Sequence, residues 1–285
     1  MRPLSIAALQ TAPVERRPDA TLELLEEQVR AIQAAVPHVQ LVLLPELHLS
    51  APPPILDEHS GYSSEAAVSI PGPLTEALSE IAETAAVWLV PGSVYERAED
   101  GQIHNTALAF APDGELIARY RKVFPWQPHE TSAPGEAFVA FDAPEIGRIG
   151  LAICYDGNFP ETFRQLAWMG AEAVVQPTLT TTSDRDAELV LARANAIFNQ
   201  LYVVSVNAAA PAGLGRSLIV DPEGIVRLAA GDSEELITDV LDLDAVSRVR
   251  RFGTAGVSRM WEQIGRQGPD LELPVYGGRF RPRPG

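Results

Sequence analysis

The sequence predicts one layered α/β domain, and three observations carry that reading. Short apolar runs ending at turn residues alternate with longer helical stretches, as strands and helices do in such proteins. The 285 residues are 46% hydrophobic, enough for one substantial core. No linker, internal repeat or low-complexity tract divides them.

Taken in order, residues 4–9 read as extended and 18–35 as a helix. Residues 41–44, LVLL, are four apolar residues that suit a fully buried strand and stop at Pro45. The densest proline cluster, Pro52-Pro53-Pro54, then reads as a rigid loop rather than a boundary. A helix over 73–86 leads into extended segments at 87–94, 104–111 and 116–121. Ile149, Leu151 and Ile153 mark a strand over 148–154, which Asp156-Gly157-Asn158 breaks. Pro160-Glu161 suits the first turn of a helix over 160–169. A strand over 172–177 precedes a helix over 184–199, for which Ser183 or Asp184 is the expected cap. Extended segments at 201–207 and 217–221 complete the pattern.

Composition excludes several classes of function. A formal charge of −16 repels nucleic acid and anionic membranes, and Arg279, Arg281 and Arg283 make only a short basic tail. No run approaches the roughly twenty apolar residues of a membrane helix, and the N-terminus lacks a secretory pattern, so a cytoplasmic protein is expected. One cysteine permits no intramolecular disulfide and fits a reducing compartment. The five histidines show no paired helical spacing, so no metal site is expected. With no GxGxxG and no GxxxxGKS/T, no cofactor is expected either.

Three segments carry candidate chemistry. In GLAICYDGNFPE, residues 150–161, the only cysteine lies where an apolar segment meets a turn and a helix start. Backbone N–H groups aimed at Cys154 from that turn favour its thiolate; a lone cysteine is also a common small core residue. In LVLLPELHLS, residues 41–50, Glu46 stands at the carboxyl end of a buried strand. There it serves either as a partly desolvated general base or as a solvated loop glutamate. In ARYRKVFPWQPHETSAPGEAF, residues 118–138, Lys122 and Glu130 share a loop with Phe124 and Trp126, a composition that lines pockets. Trp126 is a candidate acyl-pocket wall or a packing residue. Tyr155 and Asn158, beside the thiol, are substrate-contact candidates through backbone or side chain.

Glu46, Lys122, Glu130 and Cys154 in this order resemble the nitrilase superfamily of carbon-nitrogen hydrolases. YRKVFPW, Glu130 with Pro134-Gly135, and CYDGNFPE look most like the aliphatic amidase and formamidase branch. Further matches at 192–209 and 215–226 extend the resemblance over roughly residues 4–245. It implies a four-layer αββα sandwich at residues 1–245, with 246–285 an extension packed on the domain or on a neighbouring subunit. It also implies a homodimer or higher homo-oligomer.

The implied activity is a thiol-dependent amidase, and an amide needs several kinds of help at once. Cys154 attacks the carbonyl, and Glu46 takes its proton and returns it to the leaving amine. Lys122 and a backbone N–H, that of Tyr155, face the developing oxyanion. Water activated by Glu46 then cleaves the thioester. Glu130 lies beside the lysine in the family and positions it or the substrate; an ion pair with no catalytic part is the alternative. Gly157 and Asn158 stand where carboxylate-binding relatives carry arginine, and Tyr155-Asp156 replaces the Trp-Glu of nitrile-cleaving enzymes. A small neutral amide is therefore the expected substrate. An N-carbamoyl amide hydrolase, an acyltransferase and a non-catalytic binding protein are the other readings. Leu47 departs from the branch, which places an aromatic residue there.

Overall fold

Side chains of a strand point alternately to its two faces, and this alternation sorts the apolar residues into layers. The computed structural model describes residues 1–52, 61–265 and 271–280. In β1 (Pro3–Gln10) Leu4, Ile6 and Ala8 enter the central core, whereas Ala7 faces the helices. In β2 (Leu41–Leu43) Leu41 and Leu43 face inward and Val42 outward. The LVLL run is apolar throughout because both faces of its strand are covered.

Between these strands lies α1 (Pro18–Ala35), and after them come α2 (Tyr62–Glu65) and α3 (Pro73–Ala85). Strands β3 (Trp88–Val90), β4 (Ser93–Arg97), β5 (Ile103–Phe110), β6 (Leu116–Arg121), β7 (Val139–Ala143) and β8 (Gly147–Leu151) follow. Then α4 (Pro160–Trp168), β9 (Ala173–Thr178), α5 (Arg185–Asn199) and β10 (Tyr202–Asn207) alternate. The chain continues through β11 (Leu218–Val220), β12 (Val226–Ala229), β13 (Glu235–Asp242), α6 (Asp244–Phe252) and α7 (Met260–Gly265), and ends in a hairpin of β14 (Leu271–Leu273) and β15 (Gly278–Phe280).

One sheet has the order β13-β1-β2-β3-β5-β4 with β6 also on β5, and the other runs β12-β11-β10-β9-β8-β7. Their inner faces share one apolar core that includes Ile6, Leu43, Tyr120, Ile149, Val175 and Val204. Helices α1 and α3 cover the outer face of the first sheet through Leu25, Val29, Leu78 and Ile81. Helices α4 and α5 cover the second through Phe163, Leu166, Ala192 and Ala196. The result is the expected αββα sandwich.

The expected strand over 87–94 is divided into β3 and β4 by Pro91-Gly92. Gly92 has φ +85°, and a Cβ there would lie 1.7 Å from the Pro45 carbonyl oxygen. That contact presses the turn against the residue preceding Glu46. Gly92→Ala is expected to destabilise the fold by at least about 1–2 kcal/mol from the left-handed backbone alone, and the clash adds to this. An unchanged urea midpoint would refute this account.

Strand β8 ends at Leu151, three residues short of the expected limit, and Cys154 opens a 3-10 turn over Cys154–Asn158. Strands β7, β12 and β13 and helix α6 were outside the sequence expectations. β13 carries acidic residues and is exposed at four of its eight positions, but it pairs antiparallel with β1 along its full length, from Pro3↔Asp242 to Gln10↔Glu235. Leu243 and Val246 then enter the core between the sheets. Pro53, Pro54, Arg281 and Arg283 lie outside the described residues.

Candidate active site

Four segments at one edge of the two sheets bring the candidate residues together. Pro45 ends the run after β2, and the Glu46 N–H crosses to the second sheet to donate to Thr178 O at 3.2 Å. The Leu47 N–H donates to Ser93 Oγ at 2.9 Å, and Leu47 has φ 51°. These bonds aim the Glu46 carboxylate inward, where it is almost fully buried. Lys122 follows β6 directly, held by its N–H on Asn105 O at 2.8 Å and by the Gly135 N–H on its own carbonyl at 2.7 Å. Only glycine fits at 135, since a Cβ would meet Arg121 O at 2.2 Å. The Pro134-Gly135 pair thus returns the loop against the lysine.

Lys122 Nζ donates to Glu46 Oε1 at 2.9 Å and to Glu130 Oε2 at 2.7 Å. Asn105 Nδ2 bridges the same carboxylates, at 2.7 Å to Glu46 Oε1 and 3.0 Å to Glu130 Oε1. The Trp126 N–H donates to Glu130 Oε2 at 2.9 Å. Two carboxylates and one ammonium are therefore locked in a site with little water. Burial pulls Lys122 down, but Glu130 and Glu46 outweigh it and hold the ammonium charged well above its ordinary range. Burial lifts Glu46 above the usual carboxylate value, against the pull of Lys122, and Glu130 lifts it further. Burial also acts upward on Glu130, but Lys122 and the donors from Trp126 and Asn105 bring it below the usual value. The two carboxylates titrate as one coupled pair.

Cys154 has φ 42°, a left-handed conformation that side chains rarely adopt, at the corner between β8 and the 3-10 turn. Gln176 Nε2 holds its carbonyl at 2.8 Å, and Asn195 Nδ2 holds Gly157 O at 2.9 Å. A Cβ at Gly157 would lie 2.4 Å from that Gln176 amide. Beneath the corner, buried Asp156 accepts from Ile153 N–H (2.9 Å), Phe124 N–H (3.0 Å) and Tyr120 O–H (2.8 Å). One carboxylate thus ties the cysteine turn to the lysine loop, and the Phe124 and Phe159 rings stack over the same join at 3.8 Å. Burial raises Asp156 to about 6, against the pull of Lys122 and its donors.

The expected pull toward thiolate is opposed at Cys154. Burial and the Glu46 charge push the Cys154 thiol well above its ordinary value, more than Lys122 and the Leu179 N–H pull it down. The helix whose start was expected to supply the dipole begins only at Pro160, six residues on. Proton transfer to a base must therefore accompany attack.

A small cleft of about 20 Å³ opens over the thiol, lined by Trp126, Tyr155, Leu179, Thr180, Thr181, Thr182, Asp184 and Glu188. Trp126 stacks obliquely on His129, with centroids 4.5 Å apart. Asn158 is exposed at the end of the 3-10 turn and is not among these lining residues. Asp184 occupies the N-cap position of α5, but its side chain caps no N–H and instead accepts from Thr182 Oγ1. Arg185 is buried and fully used: Nη1 donates to Glu188, Nε to Gly215 O and Nη2 to Arg216 O. No lysine or arginine lines the cleft among the described residues. Nor is any group of three or more His, Cys, Asp or Glu arranged as metal ligands would be among them.

Asn105, the Thr180-Glu188-Arg185 set and the anchoring part of Asp156 were not found from sequence. Asn105 left only a polar residue at the start of an apolar strand as its signal. Asp156 read as a strand breaker.

The family model for carbon-nitrogen hydrolase matches residues 5–251. The chain is 34% identical over 236 residues to omega-amidase NIT2 of Homo sapiens, covering 77% of this chain and 82% of the relative. It superposes on Saccharomyces cerevisiae Nit3, a member of branch 10 of the nitrilase superfamily, with a TM-score of 0.80 and 29% identity, covering 88% and 94% of the two chains. An amidase from Nesterenkonia sp. gives a TM-score of 0.71 at 25% identity, covering 87% and 94%.

Proposed function

The chain belongs to the carbon-nitrogen hydrolase family, and on that premise we propose that it hydrolyses a small neutral amide to a carboxylic acid and ammonia through a Cys154 thioester. The observation that carries the reading is one buried ammonium, Lys122, shared by Glu46 and Glu130 beside the Cys154 thiol.

As Cys154 Sγ bonds to the carbonyl carbon, its proton passes to Glu46. Burial has made that carboxylate a better base than an exposed glutamate. The carbonyl oxygen gathers charge as the carbon becomes tetrahedral, and Lys122, with the Tyr155 N–H, stabilises it in a site of low polarity. Glu46 returns the proton to the nitrogen, the carbon-nitrogen bond breaks and ammonia leaves. Glu46 next takes a proton from water, whose oxygen attacks the thioester, and the thiol leaves reprotonated. Glu130 and Asn105 keep Lys122 and Glu46 in register throughout. Trp126 and Tyr155 form walls of the acyl pocket.

A neutral substrate suits the cleft because no lysine or arginine lines it among the described residues, buried Arg185 is committed to Glu188 and two carbonyls, and the acidic residues Asp184 and Glu188 are among its lining. A substrate carboxylate meets repulsion without a partner. Short amides, their carboxylate-bearing isosteres, carbamoyl compounds and nitriles should be compared by ammonia release and intact-mass detection of adducts. Neutral amides are expected to lead the series, and turnover of none of them would refute the proposal.

The acid limb of kcat/KM carries a second expectation. The base acts only when unprotonated, and its carboxyl lies above the ordinary glutamate range in the folded protein. Activity should therefore fall at a higher pH than an exposed glutamate would produce, as a pH-rate profile will show. A limb at or below the ordinary range would remove Glu46 from this role.

We further propose a homo-oligomer with an extension over 246–285 packed on the domain, as Val246 and Trp261 are, or on a neighbouring subunit, in a reducing, cytoplasmic setting that keeps the thiol free. Exposed Trp168 on α4 and Val190 and Phe198 on α5 give the helical layer an apolar outer face, which supports the assembly.

A further inference from the structure

The cysteine has a second polar neighbour that the amidase chemistry above does not use. Thr180 Oγ1 lies 3.9 Å from Cys154 Sγ and donates its one hydrogen to Glu188 Oε2 at 2.7 Å. Glu188 Oε2 also receives Arg185 Nη1 at 2.9 Å, and this arginine is itself buried and bonded to two backbone carbonyls. In both of these bonds Glu188 Oε2 is the acceptor. Thr180 is equally fixed, since its N–H donates to Asn207 Oδ1 at 2.8 Å. A hydroxyl whose hydrogen is committed elsewhere presents only lone pairs to the sulfur.

We propose that Glu188, acting through Thr180, is a positioning residue that keeps Cys154 a thiol until substrate and Glu46 draw off its proton. The Thr180 oxygen can accept the S–H, but it cannot stabilise a thiolate while Glu188 holds its hydrogen. The other charged groups around the sulfur are Glu46 from the loop after β2 and Lys122 from the end of β6, with Glu130 behind the lysine. Asp184 lines the same cleft, and Asp156 lies beneath the turn with both oxygens committed to its three donors. Lys122 favours thiolate directly, and two carboxylates share it. The orientation of the Thr180 hydroxyl is therefore a deciding difference between a thiol at rest and a thiolate exposed to any electrophile. No bond is made or broken in this role: the hydroxyl's single proton either points at a carboxylate or at the sulfur.

The inference rests on Cys154 being the reactive thiol, and its test reads the sulfur without amide turnover. The full chain is alkylated with iodoacetamide across a pH series, and the rate and the site are followed by intact and peptide mass spectrometry. In Glu188→Gln the amide can offer Thr180 an N–H, so the hydroxyl is released to turn toward the sulfur. The alkylation profile should move to lower pH, with the rate at pH 7 rising by at least about threefold; this allows for the lower nucleophilicity of a more acidic thiol. In Thr180→Val the mediator is gone, so adding Glu188→Gln to that variant should move the profile far less. A Glu188→Gln profile that superimposes on the wild type overturns the proposal. An equal shift in the Thr180→Val background also overturns it, because Glu188 would then act by its charge alone. Should Glu188→Gln fail to fold, Thr180→Ser, which keeps the hydroxyl, must retain the wild-type profile, and Thr180→Val must depart from it. Absence of alkylation at Cys154 at every pH is a different failure, that of the nucleophile assignment itself.

Discussion

Cys154→Ala is expected to abolish ammonia release from every amide the wild type accepts, by at least about 10³-fold, and to remove the acyl adduct from the intact mass. The size of the effect follows from the mechanism: without sulfur there is no thioester, and water must attack the amide directly. Glu46 and Lys122 remain in place in that variant, because bonds to Thr178, Asn105 and Glu130 hold them when the hydrogen bond between Glu46 and the thiol is lost. Binding should survive, so KM or a dissociation constant measured with unreactive amides should change little while kcat collapses. The cysteine side chain is small and alanine tolerates the left-handed φ of 42° no worse, so the melting temperature should stay near the wild-type value. Activity that persists in a fully folded Cys154→Ala protein would refute the thioester mechanism.

Lys122→Met is expected to reduce both stability and turnover. Removing the ammonium leaves the Glu46 and Glu130 carboxylates buried together, with Asn105 as their common donor. Loss of one partner from a buried ion pair costs about 3–5 kcal/mol. Here the strain has a defined pH signature. Without Lys122 both carboxyls rise above their unfolded values, so the folded state holds more protons than the unfolded one. Stability then falls as pH rises through the carboxyl range and recovers as pH falls. Adding Glu130→Gln removes one of the opposed charges and should restore part of the stability. It should restore none of the turnover, because the oxyanion still lacks its cation. Denaturant melts of the single and double variants at several pH values test the account; a single variant as stable as wild type at pH 8 would refute it.

Much of the site was legible because its chemistry is carried by residue types at chain positions that local signals mark. Pro45 stops an apolar run and delivers Glu46. Asp156-Gly157-Asn158 stops another and delivers Cys154. Pro134-Gly135 marks the return of the loop that carries Glu130, and Gly135 is now seen to pack where no side chain fits. Elements with strong period or strong breakers, such as β1, β2, α1 and α5, were legible for the same reason.

The parts that were missed depend on partners far along the chain. β13 has too many charged residues to read as a strand, and it exists because β1, more than two hundred residues earlier, supplies its full ladder. Asn105 gains its meaning only when β5 and β6 pair and set it opposite Lys122. Asn158 is close to Cys154 in sequence, but a tight turn carries it to solvent. The surroundings of Cys154 are non-local too: the helix-start rule is local, whereas burial and the Glu46 charge are set by how the two sheets close.

The sequence by itself determined the layered α/β class, the family and the four chemical groups, because hydrophobic period, turn residues and side-chain type are local properties. Only the tertiary structure decided that one lysine is shared by two carboxylates, that burial pushes the thiol up, and that Thr180 turns its hydrogen toward Glu188. Hydrogen-bond direction and desolvation depend on distances between segments, and those distances arise only when the sheets pack.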